Sequence, residues 1–176
     1  AQARREIGWP AEAFIVGYAG RLHTMSMDKG VGTLVEALRQ VEGASVALVG
    51  GPDDMAEALR QQWINYGLPD ERFLYAGHVL PEQVPLYLSA FDVCAMPLPW
   101  TEHFAYHASP IKLFEYMAAR RVVVASDLPA FADVVRDGES ALLVPPSDVN
   151  ALAGAINRLR EDSALRVRLA ECAYER

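Results

Sequence analysis

The feature that most constrains the fold of this chain is the alternation of short, continuously apolar runs with amphipathic segments. The runs cover residues 14–19, 45–50, 72–77, 93–97, 122–126 and 141–144. Strands that are apolar throughout are typical of a parallel sheet covered on both faces, and the segments between them predict βαβ crossovers. We therefore predict a Rossmann-like, three-layer α/β/α domain with a parallel sheet of about six strands.

The intervening segments have the periodicity of helices with one apolar face. Val31, Leu34, Val35, Leu38 and Val41 follow the i, i+3, i+4, i+7 spacing. The same pattern predicts helices over 59–66, 84–91, 113–118 and 152–159, a short helix over 130–136 and a last helix over 163–174.

Charge and apolar patterning argue against two classes of function. The chain has 176 residues and a formal net charge of −7, with its basic residues scattered among acidic ones. Nucleic-acid binders cluster lysines and arginines to neutralise phosphates, so we expect no nucleic-acid partner. No apolar run reaches the roughly 18–20 residues that span a bilayer, and the first residues lack the apolar stretch of a signal peptide. We therefore expect a cytoplasmic location.

Several loops that follow predicted strands carry residues suited to binding a ligand. These loops contain Arg21, Gly50-Gly51, His78-Val79, residues 97–99 and Asp127. Ligands of such sheets bind outside the carboxyl ends of the strands. We therefore expect the loops to share one rim.

Two cations, Arg21 and Lys29, follow the first strand in the pattern Gly20-Arg21 … Lys29-Gly30. Arginine can bind a phosphate through two parallel hydrogen bonds, and lysine supplies a point charge. The alternatives are an ordinary surface arginine and a solvated lysine, although a lysine at a helix start opposes the helix dipole by about 0.3–1 kcal/mol. The pair predicts a diphosphate site.

The segment 109–115 has the pattern of a helix start that faces an anion. Ser109 suits the N-cap and Pro110 the first helical position. Lys112 lies in the first turn, where its charge is unfavourable unless an anion binds there, although lysine is also a good helix former. We expect Glu115 to accept hydrogen bonds from ribose hydroxyls, the alternative being an ion pair with a nearby arginine. Cations, a helix start and a carboxylate together suit a nucleotide diphosphate sugar.

The sequence has no motif for a metal or a cofactor. Its four histidines lack the spacing of metal ligands, and Asp53-Asp54 suits helix capping better than metal binding. Neither G-x-G-x-x-G after the first strand nor a Walker A motif is present. We therefore expect neither metal nor cofactor, with the nucleotide diphosphate sugar as the donor substrate.

In their order, these motifs resemble the donor-binding half of retaining glycosyltransferases with the GT-B fold, the glycosyl transferases group 1 family. Gly20-Arg21-Leu22 … Lys29-Gly30 is similar to the family's G-R-L … K-G diphosphate site. Other segments are similar to its L-V-G strand (46–50), f-l-G-x-v strand (73–79), A-A-D-V (89–93) and L-L-V-P-P-G-D (142–148). The resemblance runs from Phe14 to the C-terminus, and the ordered set is highly specific.

The resemblance implies roles for individual residues. Arg21 and Lys29 are expected to be catalytic, by stabilising the charge that develops on the leaving diphosphate in place of a metal ion. The strand end at His78-Val79 is expected to hold the nucleobase through backbone groups. Glu115 matches the second Glu of the family's Glu-x7-Glu motif, which holds the ribose. The predicted nucleotide-sugar-binding residues are Gly20, Arg21, Lys29, His78, Val79, His107, Ser109, Ile111, Lys112, Leu113 and Glu115.

Two positions depart from the family's pattern. His107 stands where the first Glu of that motif approaches the sugar, in a segment that resembles a subgroup reading S-P-x-K-x-x-E. Arg120-Arg121-Val122 stands where the family usually has Gly-x-Pro. The first departure bears on sugar identity and fine mechanism, and the second has no functional account.

The family's other domain, which is N-terminal and binds the acceptor, has no counterpart in this sequence. We therefore expect residues 1–13 to be a linker from that domain and residues 14–176 to be the nucleotide-sugar-binding domain of an excised C-terminal half. The expected partners are a nucleotide diphosphate sugar and the N-terminal domain of the same parent chain. Any association with a membrane is expected only through that missing domain.

The sequence thus predicts the donor-binding domain of a retaining, metal-independent glycosyltransferase that uses front-face attack and is inactive alone. One alternative is a non-catalytic nucleotide-sugar-binding module, with His107 as its signature. A second is a related GT-B enzyme, such as a sugar-nucleotide epimerase. A phosphorylase would need a pyridoxal lysine pocket, which the sequence does not support.

Overall fold

The computed structural model of the chain describes residues 2–24 and 26–176. Ala1, in the predicted linker, and Met25, between the two predicted cations, lie outside the described residues. The strands are β1 (Phe14–Ala19), β2 (His23–Thr24), β3 (Met27–Asp28), β4 (Ala44–Val49), β5 (Phe73–Tyr75), β6 (Val93–Met96), β7 (Val122–Ser126) and β8 (Leu142–Val144). The α-helices are α1 (Gln2–Glu6), α2 (Val31–Ala37), α3 (Asp53–Asn65), α4 (Val84–Ala90), α5 (Glu102–His107), α6 (Ile111–Ala118), α7 (Val149–Glu161) and α8 (Ser163–Tyr174). None of the helices described is both long enough and apolar enough to cross a bilayer.

Six strands form one sheet in the order β5-β4-β1-β6-β7-β8, and every neighbouring pair is parallel. These are the six predicted runs, so the Rossmann-like α/β/α prediction is confirmed. The chain moves outward from β1 through β4 to β5 and then returns to β6 on the other side of β1. In such sheets, ligands bind in the crevice outside the carboxyl ends of the strands where the order reverses.

The central strand, β1, is buried on both faces because its alternate side chains enter two apolar cores. Val16 and Tyr18 join the core that α2, α3 and α7 cover, whereas Ile15 joins the core under α4, α5 and α6. A side chain on Gly17 would collide with the ring of Phe91. Glycine at this position therefore lets the residue after α4 pack directly on the central strand.

A helix that periodicity did not predict, α5, lies between β6 and α6. It has 6 residues, too few to show a helical period. The Thr101 hydroxyl caps it by accepting a hydrogen bond of 3.0 Å from the Phe104 N–H. Phe104 and Ala105 are buried, so this helix contributes to the core next to the carboxyl edge.

The predicted N-cap of the next helix is wrong. Helix α6 begins at Ile111, Pro110 takes the cap position, and no side chain caps the helix. Ser109 is exposed and lies one residue before the cap. The physical reason is that proline's fixed φ suits the cap as well as the first turn, so the start moves forward by one residue.

The helix predicted over 130–136 is also wrong. The structure has only a 3₁₀ turn there, Pro129–Phe131. Arg136 closes a turn instead, because its N–H donates to the Ser140 hydroxyl at 2.9 Å and its carbonyl accepts from the Ser140 N–H at 3.0 Å. These bonds direct the chain into β8.

Arg4 holds residues 2–13 against the end of α4 and the start of β6. Its side chain is only 10% exposed. Its guanidinium pairs with Asp92 at 2.7 Å and donates 2.8 Å hydrogen bonds to the carbonyls of Ala90, Ala11 and Ala13. The boundary predicted at residue 14 stays a prediction. In the structure, the segment before it is packed on α4 and the start of β6.

Candidate functional site

A cavity of about 410 Å³ lies at the carboxyl edge of the sheet, where β1, β4 and β5 end. It brings together six of the predicted site residues from three separate segments of the chain: Gly20, Arg21, Lys29, His78, Val79 and Lys112. The remaining walls include Gly50 and Gly51, which follow β4. The loops after β1, β4 and β5 therefore share one rim, as predicted. We call this space the cationic cavity, because one arginine and two lysines line it.

The loops after β1 and β4 touch each other, and glycine makes this contact feasible. The Gly20 N–H donates a hydrogen bond of 2.8 Å to the Val49 carbonyl. Gly20 and Gly50 have φ angles of 144° and 117°, in a region that side chains disfavour. A Cβ on Gly50 would collide with the Gly20 carbonyl. The backbone that carries Arg21 is therefore set by its neighbouring loop.

Lys29 is a partly buried cation. Its ammonium group lies 4.5 Å from the centre of the Phe104 ring, within the range of a cation–π contact. Burial lowers the pKa of Lys29 from its ordinary value. A cation that has lost part of its hydration gains more from an arriving anion than one in bulk water does. Phe104 contributes to the site in this way, although sequence reasoning did not single it out.

Two buried tyrosine hydroxyls hold the backbone on either side of Gly20. The Tyr18 hydroxyl donates to the Arg21 carbonyl at 2.7 Å, and the Tyr116 hydroxyl accepts from the Ala19 N–H at 3.1 Å. Burial raises the pKa of Tyr116 well above its ordinary value, so the phenol stays protonated. Sequence reasoning singled out neither tyrosine hydroxyl. The available signal was that a buried tyrosine hydroxyl needs a polar partner.

Glu115 and Lys112 form an ion pair across one turn of α6. The Lys112 ammonium lies 2.8 Å from a Glu115 carboxylate oxygen, and the two side chains are 35% and 37% exposed. The pairing with an arginine that the sequence left open is thus replaced by pairing with a lysine. Glu115 does not line the cationic cavity. It lines a second cavity of about 780 Å³, which we call the outer groove, together with His78, Val79 and Lys112.

Four predicted residues line neither cavity in the described part of the chain. His107, at the end of α5, and Ser109 are exposed, and Ile111 is 59% exposed. Leu113 is fully buried, and its N–H donates to the Pro110 carbonyl at 2.9 Å. The side chain and N–H of Leu113 are therefore both occupied by the protein itself. Of the predicted rim, residues 97–99 and Asp127 also line neither cavity.

Within residues 2–24 and 26–176, no three His, Cys, Asp or Glu side chains are grouped as ligands for a metal ion. The charged groups that line the two cavities are Arg21, Lys29, Lys112, Glu115 and Arg120. The three cations of the cationic cavity, Arg21, Lys29 and Lys112, lie at strand and helix ends and together can bind a polyanion. A carboxylate one turn into α6 can accept hydroxyl hydrogen bonds next to it.

The strand order, the reversal at β1 and the cationic edge define a Rossmann-like domain of the kind that forms half of a GT-B glycosyltransferase. Sequence comparison agrees, since the sequence model of the glycosyl transferases group 1 family matches residues 13–162. The chain belongs to the glycosyl transferases group 1 family.

Known relatives match the chain over nearly its whole length. Phosphatidyl-myo-inositol mannosyltransferase from Mycobacterium leprae is 34% identical over 172 residues, which are 96% of this chain and 43% of that protein. The structure of sucrose-phosphate synthase from Thermosynechococcus elongatus superposes with a TM-score of 0.83 at 34% identity, over 99% of this chain and 43% of the other. Anabaena HepE in complex with UDP-glucose has a TM-score of 0.82 at 27% identity, over 99% and 46%. The chain therefore spans less than half the length of these relatives.

Proposed function

We propose that this chain is the donor-binding domain of a retaining, metal-independent glycosyltransferase. The parent enzyme transfers a sugar from a nucleotide diphosphate sugar to an acceptor held by an N-terminal domain outside this chain. The observation that carries the proposal is the cationic cavity, in which Arg21, Lys29 and Lys112 meet at the carboxyl edge of a Rossmann-like sheet. The UDP-glucose complex of Anabaena HepE supports it.

The cationic cavity is the proposed diphosphate subsite. Arg21 binds phosphate oxygens as a planar fork, and Lys29 supplies a point charge from the opposite end of the same loop. As the bond from the sugar to the diphosphate breaks, negative charge grows on the leaving phosphate. Fixed cations, of which Lys29 is partly buried, stabilise that charge more than they stabilise the ground state, which lowers the barrier. The proposal assigns to these side chains the role that a metal ion has in other transferases.

The outer groove is the proposed nucleoside subsite. Glu115 accepts hydrogen bonds from the ribose hydroxyls, and the backbone near His78 and Val79 contacts the base. All three residues line this groove, and His78, Val79 and Lys112 line the cationic cavity as well. The two cavities are therefore contiguous, as one extended ligand that joins a nucleoside to a diphosphate requires.

Retention of the anomeric configuration follows from the family resemblance. The proposal uses front-face attack, in which the leaving phosphate assists deprotonation of the acceptor hydroxyl. The Glu115 carboxylate is paired with Lys112 and is assigned to the ribose, so it is not proposed as a nucleophile. The cytoplasmic location also remains a prediction.

Calorimetric titration of this chain with UDP, GDP and ADP, and with their sugar conjugates, tests the donor site. We expect one nucleotide to bind, and Arg21→Ala and Glu115→Ala each to weaken it at least tenfold, the loss of about 1.4 kcal/mol expected for a charge-assisted hydrogen bond. Arg158→Ala is the matched control, because Arg158 is exposed on α7 and lines neither cavity. Binding that the site variants leave unchanged contradicts the proposal.

Transfer itself is tested with the full parent protein, its donor and an acceptor, in the presence of a chelator. We expect turnover without added metal, and an NMR spectrum of the product in which the anomeric configuration of the donor is kept. Donor binding without turnover would identify the alternative of a non-catalytic module. Isomerisation of the donor without an acceptor would identify an epimerase.

A further inference from the structure

Lys112 lies where the cationic cavity and the outer groove meet. Its side chain lines both cavities. The Cε atom lies 3.1 Å from the position that a Cβ on Gly20 would take, so the stem of the lysine runs over the glycine of the loop that carries Arg21. Its ammonium group then reaches Glu115 at 2.8 Å. One flexible side chain thus connects the proposed diphosphate subsite to the proposed ribose ligand.

The ammonium group of Lys112 has two anionic partners within reach of its stem. One is the Glu115 carboxylate, with which it is paired in the structure. The other, on the proposed function, is the diphosphate in the cationic cavity. An ion pair as exposed as this one is weakly favourable. A diphosphate carries more charge than a carboxylate and can therefore compete for the same ammonium group.

We propose that Lys112 is a shared cation that couples the two subsites. Without a ligand, it is held by Glu115. When a diphosphate enters the cationic cavity, the ammonium group moves from the carboxylate to the phosphate, and Glu115 is released to accept the ribose hydroxyls. Lys112 is thus a positioning residue for Glu115 as well as a phosphate ligand. This inference rests on the proposed function and adds a coupling between its two subsites.

The coupling predicts opposite effects of one substitution on two ligands. Inorganic pyrophosphate has no ribose, so Glu115 only competes with it for Lys112. Glu115→Gln frees the ammonium group and should raise the affinity for pyrophosphate about two- to fivefold, the range that an exposed ion pair is worth. The same substitution should lower the affinity for the nucleoside diphosphate, because the amide accepts ribose hydrogen bonds less strongly than the carboxylate.

Calorimetric titration of this chain with pyrophosphate and with UDP, GDP and ADP, in the wild type and in Glu115→Gln, Lys112→Met and the double variant, tests the coupling. Methionine keeps an unbranched stem over Gly20 and removes the charge. In the Lys112→Met background, Glu115→Gln should leave the affinity for pyrophosphate unchanged. Thermal unfolding of each variant checks that the fold is retained, which is expected because both side chains are more than one third exposed.

The outcomes separate this inference from the proposed function. If Glu115→Gln raised the pyrophosphate affinity equally in the wild type and in Lys112→Met, the gain would reflect a general electrostatic effect of removing the carboxylate. That result would overturn the proposal that Lys112 is a shared cation. Nucleotide binding in which the two substitutions act independently would also overturn it, while leaving the donor site intact. A wild-type chain that binds neither pyrophosphate nor any nucleotide would overturn both. A gain seen only when Lys112 is present supports the inference.

Discussion

The ammonium group of Lys29 rests on the face of the Phe104 ring, 4.5 Å from its centre. Lys29, which precedes α2, is therefore positioned by α5. This helix follows β6, the strand that lies next to β1 on the side opposite β4. The proposed diphosphate subsite thus depends on packing between segments far apart in the chain, and burial lowers the pKa of one of its cations, Lys29.

Burial lowers the pKa of Lys29, which gives the site a pH dependence. The folded chain releases this proton at lower pH than the unfolded chain, so this residue makes stability rise with pH between the two pKa values. The affinity for an anion changes with pH in the opposite direction from stability, because anion binding needs the protonated amine of Lys29. We expect pyrophosphate affinity to fall as pH rises through the lowered pKa of Lys29.

Titrations with pyrophosphate from about pH 7 to about pH 10 measure this dependence. Lys29→Arg is the informative control, because arginine stays charged throughout that range. We expect the fall in affinity to be smaller in that variant. A pH profile identical to that of the wild type would show that Lys29 is not the titrating group.

Tyr116→Phe removes the hydroxyl that accepts from the Ala19 N–H. The N–H is left without its partner in a buried site, so we expect a loss of about 1–3 kcal/mol in the free energy of unfolding. Urea denaturation monitored by fluorescence measures it. Tyr106→Phe is the matched control, since Tyr106 is 60% exposed and should unfold like the wild type. If Tyr116→Phe left the free energy of unfolding unchanged, that result would contradict the role given to this hydrogen bond.

Arg4→Met removes four hydrogen bonds from one guanidinium, one of which is the partly buried ion pair with Asp92. Asp92 keeps its hydrogen bond from the Ile15 N–H but loses its cation. We expect a loss of about 3 kcal/mol in the free energy of unfolding, measured by the same denaturation. Arg5→Met, at an exposed neighbouring position, should have little effect. Equal stability of the two variants would mean that residues 2–13 do not contribute to the domain.

Arg120 takes a left-handed conformation, with φ of 52°, at the end of α6. Its guanidinium pairs with Glu171 at 3.0 Å and lies 4.0 Å from the centre of the Tyr174 ring. Arg120→Ala and Arg120→Gly both lose these contacts with α8, but only glycine relieves the backbone. We therefore expect the glycine variant to melt about 2–4 °C above the alanine variant in calorimetry. A melting temperature of Arg120→Ala equal to or above that of Arg120→Gly would contradict backbone strain at this position.

The sheet was predictable because each strand is a separate apolar run, and parallel strands need crossovers that the helical periodicity shows. Helix α5 was not predictable by periodicity, since 6 residues do not complete two turns. Its Thr101 cap was the available signal. The antiparallel hairpin of β2 and β3 was missed as well, because strands of two residues carry no alternation.

At the site, sequence reasoning placed Arg21, His78 and Val79 at one edge of the sheet because each follows a strand end, but His107 and Ser109 line neither cavity. It could not show that Glu115 is paired with Lys112 or that Tyr116 contacts Ala19. Both contacts depend on side-chain conformation and on how α6 packs against β1. Periodicity reports which face of a helix is buried, not the partner that a buried hydroxyl reaches.

The contact between Gly20 and Gly50 limits how this site can be diversified. In a combinatorial library aimed at a new donor, randomising either glycine would mostly yield unfolded or distorted members, because a side chain at Gly50 meets the Gly20 backbone and both have φ angles that favour glycine. His78 and Val79 have no such restriction, since they are exposed and half-buried on the same edge. Variants of the proposed donor site are therefore best sought in the loop after β5, while the two glycines are kept constant.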